Sequence, residues 1–338
     1  MDEGSFSGYP GGSKSRVTKA GAAVRSGTAT IDDLACIDLW RAAHAPVLNT
    51  FQSLLRSRAR SQGVAVGQRH KRKITIFGKL KRFPNMELAK MNDIAGCRLI
   101  FDTVDKLHEF RNSLHGARFK HKRRNDATKY DYLENPKSTG YRGIHDIYEY
   151  DAESEQEKKF KGLFIEIQYR TRVQHAWATA VELIGAITTS QPKFREGDMR
   201  YEEVMSYASE IFARVYENSK SCHPDLENSE LVRKFLALDA ELGLLALLRN
   251  LDSSDQSIGL RNVILILKEG KPLEIRTFRY SPDALKTLFE IETEMPGADV
   301  VFVKGESTED IRLAFKNYFS DARDFIKLIE DGCETLSG

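Results

Sequence analysis

Two acidic residues stand where a carboxylate is costly. Asp93 lies just before the apolar run Ala95–Phe101, and Glu166 sits inside the run Leu163–Tyr169. A carboxylate within an apolar strand has to be paired or metal-bound to be tolerated. Two of them on neighbouring strands would make a Mg²⁺ site for a nucleoside triphosphate, because Mg²⁺ takes one or two carboxylates and fills its shell with phosphate oxygens. Spacing alone also allows a plainer arrangement, with Glu166 paired to Arg170 on the same strand face. Arg69, Lys71 and Lys79 precede Asp93. With a helix over 75–83 they bring three positive charges near that metal site, and phosphoryl-type transfer depends on such positioning and charge neutralisation. Taken alone they read as a solvated basic patch.

A third segment runs Lys137-Ser138-Thr139-Gly140-Tyr141-Arg142-Gly143-Ile144-His145. Its glycines allow close backbone approach, and Tyr141 offers a ring for base stacking. His145 and His175 are candidate proton-transfer groups or phosphate donors; singly, each also reads as a satisfied structural residue. Gly12-Ser13-Lys14-Ser15 fails as a phosphate loop: Ser13 occupies the last glycine's position and no apolar strand precedes it.

These residues need elements to hold them. Residues 31–60 have helical spacing (Leu34, Ile37, Trp40, then Leu48, Phe51, Leu54, Leu55), with Thr30 as cap and Pro46 as a kink or break. Residues 94–101, 141–150 and 163–169 read as strands, with Glu166 and Gln168 on one face of the last. Helices are predicted over 104–114, 172–186, 200–220 and 228–250. Past Asp252-Ser253-Ser254-Asp255, strands 262–268 and 273–280 flank the turn Glu269–Pro272. A helix (282–294), a strand (299–303) and one or two helices over 307–330 complete a small β-β-α-β-α unit. The predicted organisation is a flexible, Gly/Ser-rich arm (1–30), an α/β domain (31–190), a helical connector (191–255) and a small α/β C-terminal domain (256–338).

Composition sets outer bounds. The 338 residues are 41% apolar and 30% charged, enough for a sizeable core. No run of 18 apolar residues and no secretory h-region are present, so no membrane partner is expected. The four cysteines form no CxxC pair, which argues against a zinc or disulfide framework and for a cytoplasmic protein. The net charge of +2 hides an asymmetry: residues 1–200 hold 35 Lys+Arg and 23 Asp+Glu, residues 201–338 hold 16 and 26. Arg56–Arg82 alone carries ten cations and no acid. A basic half suggests polyphosphate or nucleic acid, which an acidic half would mimic by docking.

In order and spacing, four motifs together resemble the RelA/SpoT alarmone synthetase domain. They are Arg69-x-Lys71-x-x-x-Thr75-Ile76-x-x-Lys79, Asp93-Ile94-Ala95-Gly96-Cys97-Arg98, Gly140-Tyr141-x-x-Ile144-His145 and Glu166-Ile167-Gln168-Tyr169-Arg170-Thr171. The resemblance implies an α/β (α+β) fold with a nucleotidyltransferase-like mixed sheet. It also implies transfer of the β,γ-pyrophosphate of ATP to a ribose hydroxyl, usually the 3′. By the same resemblance Asp93 and Glu166 are the Mg²⁺ and catalytic carboxylates, with Glu166 also activating the acceptor hydroxyl. Arg69, Lys71 and Lys79 bind ATP. Tyr141 stacks on the acceptor base, supported by Lys137, His145, Gln168 and Arg170. The only His-Asp dipeptide is His145-Asp146, inside a predicted strand, so synthesis without the family's metal-dependent hydrolysis is expected.

Ser13-Lys14-Ser15-Arg16-Val17, Trp40-Arg41-x-x-His44, Phe83-Pro84-Asn85-Met86, His175-Ala176-Trp177 and Ala314-Phe315-Lys316-Asn317-Tyr318-Phe319 are similar to the CapRel-like fused toxin–antitoxin branch. That similarity implies a C-terminal domain that restrains the synthetase through a Tyr-x-x-Tyr segment, here Phe315 and Tyr318, until a phage protein releases it. The implied acceptor is the 3′ end of tRNA, and Lys120, Lys122, Arg123 and Arg124 are candidate tRNA contacts. There are departures from the pattern. Phe315 replaces the first tyrosine, Thr128-Lys129-Tyr130 replaces a basic-x-basic pair, and Thr139 and Gly143 replace the usual Asn and Ser. The last two changes point away from free GDP or GTP as acceptor. Two other readings stand beside this one: a (p)ppGpp synthetase acting on GDP or GTP, and a catalytically silent RNA-binding sensor. Retention of Asp93, Glu166, Lys79 and Tyr141 argues against the silent sensor. A monomer is the expected state.

Overall fold

An eight-stranded mixed sheet runs through the protein, and the candidate site is built on its strands and on the segments that connect them. The structure is a computed structural model that describes residues 8–60, 62–188, 197–251, 262–268, 271, 273–295, 298–305, 307–319 and 321–338. Three helices come first: α1 (Lys14–Ser26), α2 (Ile31–Ala42) and α3 (His44–Ala59). Next are β1 (Ala65–His70), α4 (Lys73–Arg82), a 3₁₀ turn at Leu88–Lys90, β2 (Ala95–Phe101), α5 (Val104–His115), β3 (Lys122–Arg123), β4 (Ile144–Glu149), the single-turn α6 (Glu155–Lys158) and β5 (Phe164–Thr171). A helical layer follows, of α7 (Arg172–Ile187), α8 (Arg200–Glu217), α9 (Asn228–Leu242) and α10 (Leu244–Arg249). The last section holds β6 (Asn262–Leu267), β7 (Glu274–Phe278), α11 (Ser281–Glu294), β8 (Asp299–Lys304), α12 (Thr308–Ala314), a 3₁₀ turn at Lys316–Phe319 and α13 (Arg323–Ser337).

The strand order is β3-β4-β5-β2-β1-β8-β6-β7. Only β2 and β5 pair in parallel; every other neighbouring pair is antiparallel. Local chemistry explains the boundaries. Thr30 and Asp33 form a capping box at α2, and Thr171 and Gln174 form another at α7. The predicted helix over 31–60 breaks at Ala43, and Pro46 lies in the first turn of α3, where its missing N–H costs nothing. Residues 228–250 likewise split at Gly243, whose φ of +61° suits glycine.

Three expectations need correction. The N-terminal arm is helical from Lys14: α1 buries Val17, Ala20, Gly21 and Val24, and Ser13 caps it through Arg16 N–H. Its Gly/Ser content hid an apolar stripe of small residues. The C-terminal strands do not form a sheet of their own, because β8 pairs with β1 through Gln68↔Lys304 and Arg69↔Val303. The last helix, α13, sits away from those strands and joins the helical layer, where Phe325, Ile329 and Cys333 share a core with Phe212, Phe235 and Leu248. The turn residues Glu269, Gly270 and Pro272 and the stretch Asp252–Asp255 fall outside the described residues. Among the described residues no helix is long and apolar enough to cross a membrane.

The acidic half does meet the basic half, at the seam with α11 and β8 and again where Arg142 pairs with Glu217 of α8. Arg41 is bonded by both guanidinium arms to Glu292 of α11 at 2.7 and 3.0 Å, and Arg72 pairs with Asp299 of β8. The cluster 120–124 lies at the opposite, β3 edge of the sheet, away from β6–β8. Its partners are local: Lys120 pairs with Glu153, Arg123 donates to His115, and Arg124 pairs with Glu149. The seam on the Arg41 side also buries two histidines. His44 Nδ1 donates to Trp40 O (2.9 Å), and His70 stacks on Phe302 of β8. Burial lowers His44 to about 4, and burial with Arg41 and His44 nearby lowers His70 well below the ordinary imidazole range. A base that is neutral when folded but charged when unfolded loses stability as pH falls through its unfolded value. The melting temperature is therefore expected to drop steadily from pH 6.5 toward pH 4, and His44→Gln to flatten part of that slope. A pH-independent melting curve over this range would contradict the buried pair.

Candidate active site

Pairing register stacks the site residues into rows, because directly paired residues share a sheet face. One row is Arg69, Gly96 and Glu166; the next is Gly67, Arg98, Gln168 and His145; the third is Ala65, Ile100 and Arg170. Gly96 leaves the middle of the first row open, since a Cβ there would meet nothing closer than Glu166 O at 3.6 Å. The opposite face of β5 sends Ile165, Ile167 and Tyr169 into the main core, so the strand cannot slip register without burying Glu166 among them.

The cations converge on Asp93 from the chain that enters α4. Lys71 Nζ donates to Asp93 at 2.5 Å, and Lys79 Nζ reaches both Asp93 oxygens at 3.1 Å. Helix α4 is braced from behind by α1, where Arg25 donates to Leu80 O at 3.0 Å and also to Met86 O. Burial alone would raise the Asp93 carboxyl and Glu166 adds to that, but Lys71 and Lys79 outweigh both and hold it below the usual range. Burial pulls Lys71 down in spite of Asp93.

Glu166 does not pair with Arg170. It accepts from His145 Nδ1 at 3.0 Å and from Gln168 Nε2 at 2.5 Å. His145 Nε2 lies 2.5 Å from the Tyr141 hydroxyl, and that hydroxyl also accepts from Arg170 Nη2 at 3.1 Å. A continuous chain thus runs Glu166–His145–Tyr141–Arg170. Burial works against charge along it, but the pairing wins. Glu166 and Tyr141 lift His145 to about 9, His145 holds Glu166 well below the carboxylate range, and Arg170 with His145 brings Tyr141 down to about 7. Lys137 Nζ lies 4.4 Å above the Tyr132 ring and 5.2 Å above the Tyr141 ring. Tyr132 meets Tyr141 and His145 edge-on, at 5.5 and 5.7 Å.

Asp93 and Glu166 are close enough for each charge to resist the other's ionisation. Two hard oxygen donors that repel one another fit a divalent cation that draws its remaining ligands from phosphate. Among the described residues no group of three or more His, Cys, Asp or Glu could hold a metal by itself.

The end of α12 lies on this same face. His175 Nε2 donates to Leu313 O at 2.6 Å, and Arg98 donates to Ala314 O with its guanidinium 5.7 Å over the Phe315 ring. These carbonyls are the ones a helix end leaves without intrahelical partners. Gly67 makes the fit possible: a Cβ there would come within 2.6 Å of Ala314 Cβ and 3.1 Å of the Phe315 ring. Phe315 and Tyr318 are 1% and 2% exposed, in a cluster that includes Ala65, Ile100 and Val303. His175 is therefore a seam residue rather than a proton-transfer group.

Sequence reasoning named the Asp93 and Glu166 groups and Tyr141, but gave Arg98 no role although it closes the Asp93–Arg98 motif. Tyr132 had only its place after Asp131 as a signal. Asp146, next to His145, points the other way and is fully buried against Arg111 and His115. Gly143 has a φ of +142°, and a Cβ there would stand 3.2 Å from Tyr169 O and 3.3 Å from the Tyr141 hydroxyl, so the serine of the resembling pattern would be strained on this backbone.

Residues 68–183 match the sequence family described as the region found in RelA / SpoT proteins. A GTP pyrophosphokinase, YjbM of Bacillus subtilis (strain 168), is 31% identical over 99 residues, covering 29% of this chain and 44% of its own length. The chain thus spans less than half of that relative. Among solved structures, the small alarmone synthetase 1 of Bacillus subtilis bound to its product pppGpp aligns at 22% identity and a TM-score of 0.45, over 52% of this chain and 90% of that one. A GTP pyrophosphokinase family protein from Streptococcus pneumoniae aligns at 21% identity and a TM-score of 0.41, over 51% and 85%.

Proposed function

From the match of residues 68–183 to the region found in RelA / SpoT proteins, we propose that this protein is an ATP-dependent pyrophosphokinase acting on a ribose 3′-hydroxyl, with the tRNA 3′ CCA end as acceptor. The observation that carries the reaction is the convergence of Lys71 and Lys79 on Asp93 beside a Glu166 oriented by His145. In this reaction the ribose oxygen attacks the β-phosphorus of ATP, the bond from that phosphorus to the α-phosphate oxygen breaks, and AMP departs. Mg²⁺ held by Asp93 and Glu166 supplies charge neutralisation of the triphosphate when bound. Arg69, Lys71 and Lys79 bind the ATP. Glu166 is ionised and aimed by His145 and Gln168, ready to take the hydroxyl proton. A carboxylate held below its usual range is a weak base, so proton transfer accompanies bond formation rather than preceding it. Tyr141 stacks on the acceptor base, its hydroxyl fixed by His145 and Arg170.

Two observations support a large polyanionic acceptor. The edge strand β3 pairs with β4, the strand of His145: exposed Lys122, opposite Glu149, shares the sheet face of His145, whereas Arg123, opposite Tyr148, shares the face of Asp146. Thr128 and Tyr130 stand where the resembling pattern has its basic pair for a nucleotide's phosphates, and Lys129 between them lies over the Tyr130 ring at 5.3 Å, which weakens that small-acceptor site. Charge reversal of Lys120, Lys122 and Arg123 is expected to cut labelling of tRNA at least about tenfold in moderate salt while sparing a mononucleotide acceptor. Equal loss on both acceptors would make the patch structural. The specific observation for a second reading is the relative whose name is a GTP pyrophosphokinase; on it the acceptor is GDP or GTP.

The covering of the site face by Ala314, Phe315 and Tyr318 supports a restrained state, and we read a phage protein as the releasing partner in anti-phage defence. The deciding assay uses ATP labelled at the γ-phosphate, Mg²⁺ and either deacylated tRNA or GDP/GTP. The release variant is Phe315→Ala rather than a truncation near residue 250, because truncation would strip α13 from the helical core. Label on tRNA supports the proposal; label on guanosine nucleotide alone moves the acceptor to GDP or GTP; no label from the release variant overturns the kinase.

A further inference from the structure

Both residues that flank Tyr141 are held by α8, a helix that lies wholly outside the matched region 68–183. On one side, Ser209 Oγ donates to Gly140 O at 2.6 Å. Gly140 has a φ of +87°, and a Cβ there would come within 2.9–3.1 Å of Ser209 Cβ, Ser206 Cα and the Trp177 ring, so the loop lies directly on the helix. On the other side, the buried Arg142 guanidinium pairs with Glu217 in the last turn of α8 and donates to Ser219 Oγ at 2.8 Å. Glu217 is itself buried, with a side chain 3% exposed. It also accepts from Thr171 Oγ1 at 2.6 Å and Gln174 Nε2 at 2.8 Å. One carboxylate therefore ties the acceptor loop, the end of β5 and the start of α7 to the same point. The seam closes to a cavity of about 10 Å³ among Gly140, Arg142, Gln174, Trp177, Ser209 and Phe212, barely enough for one water.

A buried, fully bonded carboxylate that faces three separate segments is costly unless it fixes their geometry. Tyr141 is only half-buried: His145 and Arg170 hold its hydroxyl, Lys137 and Arg170 lie over its ring at 5.2 and 5.3 Å, and its backbone runs between the two residues that α8 holds, so its ring direction depends on that backbone as well as on those contacts. We propose that α8 is the positioning element for the acceptor-binding ring: Ser209 and Glu217 set the direction of Tyr141 by pinning the residue on each side of it, and so control acceptor affinity without touching the acceptor. This rests on the reading of Tyr141 as the stacking ring.

The test measures equilibrium binding of fluorescently labelled deacylated tRNA, labelled GDP and labelled ATP to the full-length chain. It compares wild type, Ser209→Ala, Glu217→Gln and Tyr141→Ala, all in the Phe315→Ala background. Glu217→Gln is expected to weaken the bound acceptor about tenfold and Ser209→Ala about threefold, with ATP affinity held within twofold. Ser209→Ala keeps the question answerable if Glu217→Gln folds poorly. If Tyr141→Ala weakens acceptor binding but neither α8 variant does, the clamp is overturned and the Tyr141 reading stands. If Tyr141→Ala changes neither acceptor, the Tyr141 reading falls and takes the clamp with it. Parallel loss of ATP and acceptor affinity would show α8 to be structural support only, and overturns the proposal.

Discussion

Glu166→Gln is expected to lower pyrophosphate transfer by on the order of 10³-fold, the scale of losing one preorganised electrostatic group, while leaving the fold intact. The substitution keeps shape, and an amide oxygen can still accept from Gln168, whose Nε2 lies 2.5 Å from the carboxylate. What disappears is the charge. Glu166 would no longer carry one of the two anions for Mg²⁺, would no longer take a proton, and would no longer hold His145 in its charged form. The last effect can be read without any turnover. His145 stands at about 9 partly because Glu166 lies 3.0 Å from Nδ1, so in Glu166→Gln its titration, followed by NMR, should move down toward the ordinary imidazole range. A loss of less than tenfold in transfer, or an unmoved His145, would remove Glu166 from the centre of the reaction.

Phe315→Ala is expected to act in the opposite direction, raising transfer and translation inhibition by at least about tenfold. The ring is 1% exposed, fills the space that Gly67 leaves, and lies under the Arg98 guanidinium. Truncating a buried phenylalanine costs about 3–5 kcal/mol, and each 1.4 kcal/mol is a factor of about ten in a population. Most of that loss falls on the contact between the end of α12 and the site face, so the uncovered state gains at the expense of the covered one. Phe315→Tyr keeps the ring and serves as control. Unchanged activity in Phe315→Ala, with the chain folded, would mean that the segment packs on the face without restraining it.

The parts of the site that sequence made legible share a cause. Glu166 among Leu163, Ile165 and Ile167 is a local contradiction between polarity and burial, visible in one strand. Lys71, Lys79 and Asp93 lie within one short stretch of chain, and Tyr141 and His145 are four residues apart, so their convergence needs little topology. What stayed hidden depends on pairing between distant segments. Nothing in Val300–Val303 reveals that β8 pairs with β1 rather than closing a sheet of its own, because an apolar strand reads the same in either place. Arg98 looks like a free cation until Ala314 O is set against it. Ser209 and Glu217 sit on a helix with an ordinary amphipathic pattern, and their bonds to Gly140 and Arg142 reach back about seventy residues. The helix α1 was masked by its small residues: Ala20 and Gly21 pack closely for the same reason that they resemble a linker.

The pairing of β1 with β8 also has a consequence in time. Strands β1 to β5 and helix α7 are finished by residue 187, whereas β8 begins at residue 299 and α12 at residue 308. At the usual elongation rates of about 5–20 residues per second, that gap is on the order of ten seconds. During it the nascent chain carries Asp93, Glu166 and Tyr141 with the β1 edge unpaired and nothing over Gly67 and Arg98. On the proposed reading, restraint would then be a product of the last third of synthesis, completed only once β8 and α12 have been made. A chain released before residue 299 lacks β8 and α12, and with them the residues that pack on Gly67 and Arg98, as well as the α13 residues that complete the helical core.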